Sequence, residues 1–409
     1  MKNVVLVTVD ATRKDVFGAY GSELGLTPCC DALAESSVVF EKAQSTGPYT
    51  QASFPGILTS SHYLDYGRPR GLARERTLIS EPLHDAGITT AAFHSNPYLC
   101  DYLGWNRGWD VFYDSMEDEV GARVPYIRGN AINAKATQWL EAQARDNLGK
   151  PFFLWVHYMD VHEPYVPEKR FIDRAGLTID LGEDEMFALF QDILLERDVS
   201  DPEAVRLLQQ LYWAHVREVD EYIEELVSCL DGYGLLDETV LIVTSDHGDE
   251  FGEHGGLSHD DKMYCELLDV PLFIRGVDDP CRYDRLVSTV DIAPTILDLF
   301  GLPAVSEFQG AKLLPLDGAR DIGAFSEAID MRATRGGDID RDSYCYRRGD
   351  MKLIHRRAEG AWELYDLSTD GSEQDNIIES GGAIEELQQT LLRRVRRWEG
   401  EVHRREETR

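Results

Sequence analysis

The 409-residue chain is predicted to be an α/β protein. Its mainly parallel central sheet would be sandwiched by helices, and a small C-terminal α+β subdomain would contain a short antiparallel sheet. Three observations predict this. Apolar, β-branched runs recur along the first three quarters of the chain, segments of helical spacing lie between them, and beyond Gly301-Leu302-Pro303 the texture turns short, polar and Gly-rich.

Residues 4–9 (VVLVTV) form the first apolar run, suited to a strand buried on both faces of a parallel sheet. Comparable runs occur at 89–93, 152–156, 239–244 and 270–274. Residues 130–144 have helical spacing. Residues 203–230 carry apolar side chains at Leu207, Leu208, Leu211, Tyr212, Val216, Val219, Ile223 and Leu226, the pattern of one helix face. Strands alternating with helices place ligands beyond the carboxyl ends of the strands. The expected organisation is a catalytic region over 1–303 and a C-terminal subdomain over 304–409 packed on it. In the latter, strands are expected at 343–347, 351–355 and 362–366, with turns at Arg348-Gly349-Asp350 and Glu359-Gly360. An amphipathic helix over 383–402 closes the chain.

Asp and Glu number 74 against 41 Lys and Arg, a formal charge of -33. Such a surface repels nucleic acid and anionic lipid, so neither is an expected partner. Lys is scarce beside Arg, and the acidic excess reads as a halophilic adaptation, because salt screens the self-repulsion. Seven Cys without paired spacing argue against a disulfide framework and a zinc cluster. The apolar run at the N-terminus is too short for a signal segment, and no window approaches the ~20 apolar residues of a membrane span. A cytoplasmic location is expected.

The strongest local signal is Ser245-Asp246-His247-Gly248-Asp249-Glu250. An Asp followed by His at a strand end can offer oxygen and nitrogen to one divalent ion, and Gly248 is expected to let the chain turn sharply behind them. Asp10, ending the first strand, supplies a second hard ligand at the same sheet edge, or caps the helix after it. The third element is the hydroxyl-bearing segment 45–60, where Thr46, Thr50 and Ser53 are each either N-caps or a nucleophile activated by a nearby ion. Periodicity does not choose among them.

With these segments in view, the chain resembles the sulfatase family of the alkaline-phosphatase superfamily over nearly its whole length. Residues 4–21 (VVLVTVDATRKDVFGAYG) look like its first strand and metal-binding Asp. Residues 47–60 look like the nucleophile segment, and the likeness continues through 103–113 (LGWNRGWDVFY), 152–167 (FFLWVHYMDVHEPYVP), 235–255, 290–303 (VDIAPTILDLFGLP), 349–354 and 363–370 (ELYDLSTD). The resemblance implies an alkaline-phosphatase-like fold and hydrolysis of sulfate or phosphate esters.

Two departures matter. Thr50 falls where sulfatases carry the Cys that becomes formylglycine, and Ala52 and Phe54 replace the Pro and Arg of that signature. Threonine cannot be oxidised to the aldehyde, so phosphodiesters or phosphonate esters are favoured over sulfate esters, as in Thr-dependent phosphodiesterase relatives. Ala11 stands where many sulfatases place another acidic ligand. The implied ligand set is therefore Asp10, Thr50, Asp246 and His247 around one ion, manganese, zinc or calcium. The resemblance also places His162 or His259 as proton donor to the leaving group, His259 or Lys262 against the anion, and Arg107, His94 and Asn96 along the pocket. The expected substrate is a small-molecule or glycan ester. The alternatives are a true sulfuric ester hydrolase and a non-catalytic member that binds a glycan or partner protein.

Overall fold

The computed structural model describes residues 2–146, 150–196, 198–259, 261–277, 279–316, 323–329, 341–379 and 384–406. The main sheet is built from β1 (Asn3–Val9), β2 (Ser37–Gln44), β3 (Thr89–Phe93), β4 (Val111–Tyr113), β5 (Phe152–Tyr158) and β6 (Thr239–Ser245). A small ribbon comes next, β7 (Glu250–Phe251) with β8 (Leu257–Ser258), before β9 (Asp269–Val270), β10 (Leu272–Arg275) and β11 (Cys281–Ser288) complete the sheet. Its order is β11-β2-β10-β6-β1-β5-β3-β4, with β9 on β2. All neighbours along β6-β1-β5-β3-β4 run parallel, whereas β10 is antiparallel to both β6 and β2.

Alternation explains the apolar runs. Val5, Val7 and Val9 of β1 join Leu154 and Val156 of β5 in the core on one face, while Val4 and Leu6 join Phe153 and Trp155 on the other. A strand covered on both faces leaves few positions for a polar residue, and those it has must pair, as Thr8 and His157 do. The helix Gly129–Asp146 and the long helix Pro202–Gly232 cover the first face; Thr50–Thr59 and Ile292–Leu299 cover the second. The long helix starts where the Asp201 carboxylate accepts the N–H groups of Glu203 and Ala204, with Pro202 in its first turn.

Two expectations change. The run 270–274 is interrupted at Pro271, which lacks an N–H for the ladder, and its two parts, β9 and β10, both pair antiparallel to β2 rather than joining the parallel set. The strands β2, β4 and β11 also join the sheet. β4 and β11 form its two edges and are largely exposed or half-buried, so no apolar run marks them.

The second sheet has the antiparallel order β12 (Ala324–Ala328), β13 (Ser343–Arg348), β14 (Met351–Arg356) and β15 (Ala361–Asp366), one strand more than expected. Gly349 and Gly360 turn the two later hairpins with φ of 59° and 60°, a region costly for other residues. The helix Ile384–Glu406 lays Leu387, Leu391, Val395, Trp398 and Val402 on this sheet; residue 383 lies outside the described residues. Trp398 is fully buried, its ring stacks on Tyr344 and its Nε1 donates to Asp65 Oδ1 at 3.0 Å. Trp398→Ala is expected to destabilise the protein by about 3–5 kcal/mol through the cavity and the lost hydrogen bond, read from urea unfolding.

Candidate active site

β1 and β6 are parallel neighbours with Val9 opposite Ser245, so the next residues, Asp10 and Asp246, leave the sheet side by side. Ala11 then takes a left-handed backbone, φ 53°, which aims its N–H at Asp246 Oδ1 at 3.2 Å. A left-handed Ala costs energy, and such strain is tolerated where the surroundings fix it. The His247 N–H donates to the same oxygen at 3.0 Å. Gly248 follows at the turn, without a positive φ. It is required because a Cβ there would meet the Glu266 carbonyl oxygen at 2.0 Å.

At the centre His247 Nε2 lies 3.5 Å from Asp10 Oδ1 and 3.4 Å from Asp246 Oδ2, all three side chains being fully buried. His247 Nδ1 donates to the Gly248 carbonyl at 2.9 Å, which leaves Nε2 with its lone pair facing the carboxylates. Asp10 Oδ1 and His247 Nε2 have no hydrogen-bond partner among the described residues. Two carboxylates and an imidazole lone pair converging without a donor fit a divalent cation. Thr50, at the first turn of the helix Thr50–Thr59, points its hydroxyl at Asp10 Oδ2 at 3.4 Å. Asn96 Nδ2 donates to Asp10 Oδ2 at 2.9 Å and reaches Thr50 Oγ1 at 3.4 Å.

Burial alone would raise both carboxylates. For Asp10 the imidazoles of His157, His162 and His247 outweigh burial and hold it below the usual range. For Asp246 burial and the charge of Asp10 together push the pKa up. Two adjacent acids driven apart in this way resist ionising together without a cation.

A histidine layer covers one side. The His259 ring lies 4.5 Å from that of His247 and 5.0 Å from that of His162. Its Nδ1 meets Asp249 Oδ1 at 2.7 Å, and Tyr165 OH holds the other Asp249 oxygen at 2.6 Å. Burial disfavours the His259 cation, but Glu163 and Asp249 outweigh it and push its pKa up to about 10. His162 is likewise raised: burial opposes the cation, and Glu163 and Asp10 win.

Three other residues read from the sequence are engaged elsewhere. Arg107 donates to the carbonyls of Arg74 and Arg76 and pairs with Glu81, as a clamp on the loop. Lys262 is held by Glu250 at 2.6 Å and the His254 carbonyl at 2.9 Å. His94 is fully buried between Trp155 and Phe112 and accepts the Asn96 N–H on Nδ1. It supports Asn96 from beneath rather than lining a pocket. Sequence reasoning missed His157, whose Nε2 lies 3.3 Å from Asp10 Oδ2, and the orienting carboxylates Asp249 and Glu163. The one signal for His157 was a lone imidazole inside an otherwise apolar strand, opposite Thr8 in register.

Residues 2–302 match the family model described as Sulfatase, and residues 252–401 match N-sulphoglucosamine sulphohydrolase, C-terminal. An arylsulfatase of Clostridium perfringens is 25% identical over 92% of this chain and 90% of its own length. A choline-sulfatase of Rhizobium meliloti is 25% identical over 96% of this chain and 86% of its own. Among solved structures, a complex with the substrate D-glucosamine-2-N,6-O-disulfate has a TM-score of 0.82 at 21% identity, covering 98% of both chains. The phosphonate monoester hydrolase of Agrobacterium radiobacter has a TM-score of 0.73 at 19% identity, covering 98% of this chain and 96% of its own. These structural likenesses establish the mixed α/β fold, and the family match over the sheet and its site segments shows that the chain belongs to the sulfatase family.

Proposed function

We propose that this protein is a metal-dependent hydrolase of phosphate or phosphonate esters in which Thr50 is the nucleophile. The observation that carries the reading is the Thr50 hydroxyl beside Asp10, at the edge of a buried Asp-Asp-His cluster, on a residue that cannot become formylglycine. Two solved phosphonate monoester hydrolases, of Agrobacterium radiobacter and Silicibacter pomeroyi, share the fold. The curated relatives named as sulfatases support the second reading, a sulfuric ester hydrolase working through threonine. A binding module is disfavoured, because binding alone needs no hydroxyl placed over the cluster.

Asp10, Asp246, His247 and Thr50 would hold one divalent ion, manganese, zinc or calcium. Such an ion would acidify the Thr50 hydroxyl and draw on the ester's anionic oxygens. Asn96 fixes the orientation of Thr50 and Asp10. The helix Thr50–Thr59, whose Ala52 and Ser53 N–H groups are taken up by the Tyr49 carbonyl, brings the positive end of its dipole to the site of an incoming anion. The Thr50 hydroxyl, hydrogen-bonded to Asp10 Oδ2, gives up its proton through that contact to solvent, and Oγ1 forms a bond to phosphorus as the bond to the alcohol oxygen breaks. His259, held as a cation by Asp249 and Glu163, faces the developing charge, and it or His162 delivers a proton to the departing alcohol. Water then cleaves the Thr50 ester. The substrate class is a small-molecule or glycan ester.

Thr50→Ala is expected to lower kcat/KM on an aryl phosphodiester by about 10³-fold or more; turnover at the wild-type rate removes Thr50 from the mechanism. In a panel of aryl sulfate, phosphate monoester, phosphodiester and phosphonate monoester, the phosphorus esters should turn over fastest, and cleavage of the sulfate alone refutes the preference. Elemental analysis should find one divalent ion per chain, lost in Asp246→Ala. Restoring the ion to chelated protein at 100 times its Kd should stabilise it by about 2.7 kcal/mol in a thermal shift. A folded protein with no ion and no such shift counts against the ligand set.

A further inference from the structure

A cavity of about 370 Å³, within the range of small-molecule sites, is lined by Gln51 and Tyr98, which adjoin Thr50 and Asn96 in the chain, and by none of the cluster residues themselves. Two of its walls grow from residues already placed. Gln51 comes directly after Thr50 on the first helical turn, with Pro55 one turn on. Tyr98 rides on the 3-10 turn Pro97–Leu99, capped where Asn96 Oδ1 accepts the Tyr98 N–H at 2.9 Å; the other end of that Asn96 side chain touches Thr50. The remaining wall is apolar, with Leu72, Leu103 and Trp105. Tyr98 keeps 51% of its surface exposed, a large apolar ring left uncovered.

Polar groups in the lining are few and mostly spent. Tyr63 OH donates to the Pro69 carbonyl. Arg76 gives its donors to Thr59, Ser61 and the carbonyls of His62 and Tyr63, and its guanidinium lies 4.3 Å over the Tyr66 ring. Gln51 and the exposed Arg70 remain. A polyhydroxylated sugar entering here would surrender its bonds to water and recover few of them. A flat apolar ring would lose nothing comparable and would gain the aromatic walls. None of the described lining residues is acidic, so the approach of an anionic ester is not opposed locally.

We propose that this cavity receives the alcohol half of the ester and selects an aromatic or similarly apolar ring alcohol over a sugar. The assignment rests on the Thr50-centred reading of the reaction. It is tested by calorimetry on the full chain supplied with manganese, using benzylphosphonate, ethylphosphonate and glucose 6-phosphate. The two phosphonates carry a methylene in place of the ester oxygen and cannot be hydrolysed there. Benzylphosphonate should bind at least about tenfold more tightly than ethylphosphonate, the increment expected from burying one ring. Leu72→Trp, which fills the cavity, should bring that ratio close to one. Tyr98→Ala, at an exposed position tolerant of change, should lower the ratio as well. A wild-type ratio near one, a ratio untouched in both variants, or glucose 6-phosphate binding most tightly overturns the pocket assignment. Binding of ethylphosphonate that ignores removal of manganese instead refutes the reading of the reaction centre, while the benzyl preference can still be scored. Failure of all three ligands to bind overturns both.

Discussion

The structure depends on one forced proximity. Adjacent parallel strands β1 and β6, locked in register, each end on an aspartate at the same rim of the sheet. Both carboxylates are fully buried, where like charges interact far more strongly than in water. The surroundings are arranged to bear this. The Ala11 and His247 amides serve one oxygen of Asp246, Asn96 serves one oxygen of Asp10, and the His247 lone pair is turned inward by the Gly248 carbonyl. The unserved atoms, Asp10 Oδ1 and His247 Nε2, point at the same small volume. A divalent cation held there would fit that volume and neutralise it.

The same constraint explains what the sequence discloses. Strands covered on both faces are largely apolar, so β1, β3, β5 and β6 are legible, and an acid at the end of such a run is conspicuous. Partly exposed edge strands such as β11 escape because burial does not constrain them. The choice among Thr46, Thr50 and Ser53 came from family resemblance, and the geometry explains why spacing could not make it. Thr46 Oγ1 is consumed by the carbonyls of Ala52 and Ser53, while Ser53 Oγ reaches Asp246 Oδ2 at 3.4 Å, so hydroxyls of one segment serve different ends. Long cationic side chains were the least legible. Arg107 and Lys262 find their partners tens of residues away or across a loop, and nothing local in the sequence encodes which acceptor wins.

The second sheet contributes more than bulk. Tyr49 and Ala52, on either side of Thr50, pack into its core cluster rather than into the main sheet. Tyr49 OH exchanges hydrogen bonds with both the N–H and the carbonyl of Ile329, and the Glu327 N–H donates to the Thr46 carbonyl at 2.9 Å. The segment that carries Thr50 is thus held from behind by β12 and its continuation. Asp269 adds a clip, accepting Lys14 at 2.9 Å from the β1 side and Arg347 at 2.8 Å from β13. Buried ion pairs add little to stability unless their geometry is good, but breaking one strands a charge, which makes such a clip effective at fixing one arrangement. Thr50 therefore sits at a seam whose two sides are independently braced.

A chain with a formal charge of -33 that handles anionic esters poses an electrostatic problem. At long range the acidic surface slows the approach of any anion. At short range cationic groups stand beside the site's carboxylates: His162 and His259 are biased toward their cationic forms, the positive end of the Thr50–Thr59 helix dipole lies at the site, and the neighbouring cavity has no acid among its described lining residues. The two ranges respond differently to salt. Mobile ions screen exposed charges beyond about 8–10 Å but penetrate a buried centre poorly. Rising ionic strength therefore removes the repulsion that opposes arrival while leaving largely intact the contacts that hold the anion, so an acidic exterior and an anion-receptive interior are compatible wherever the solution is salty enough.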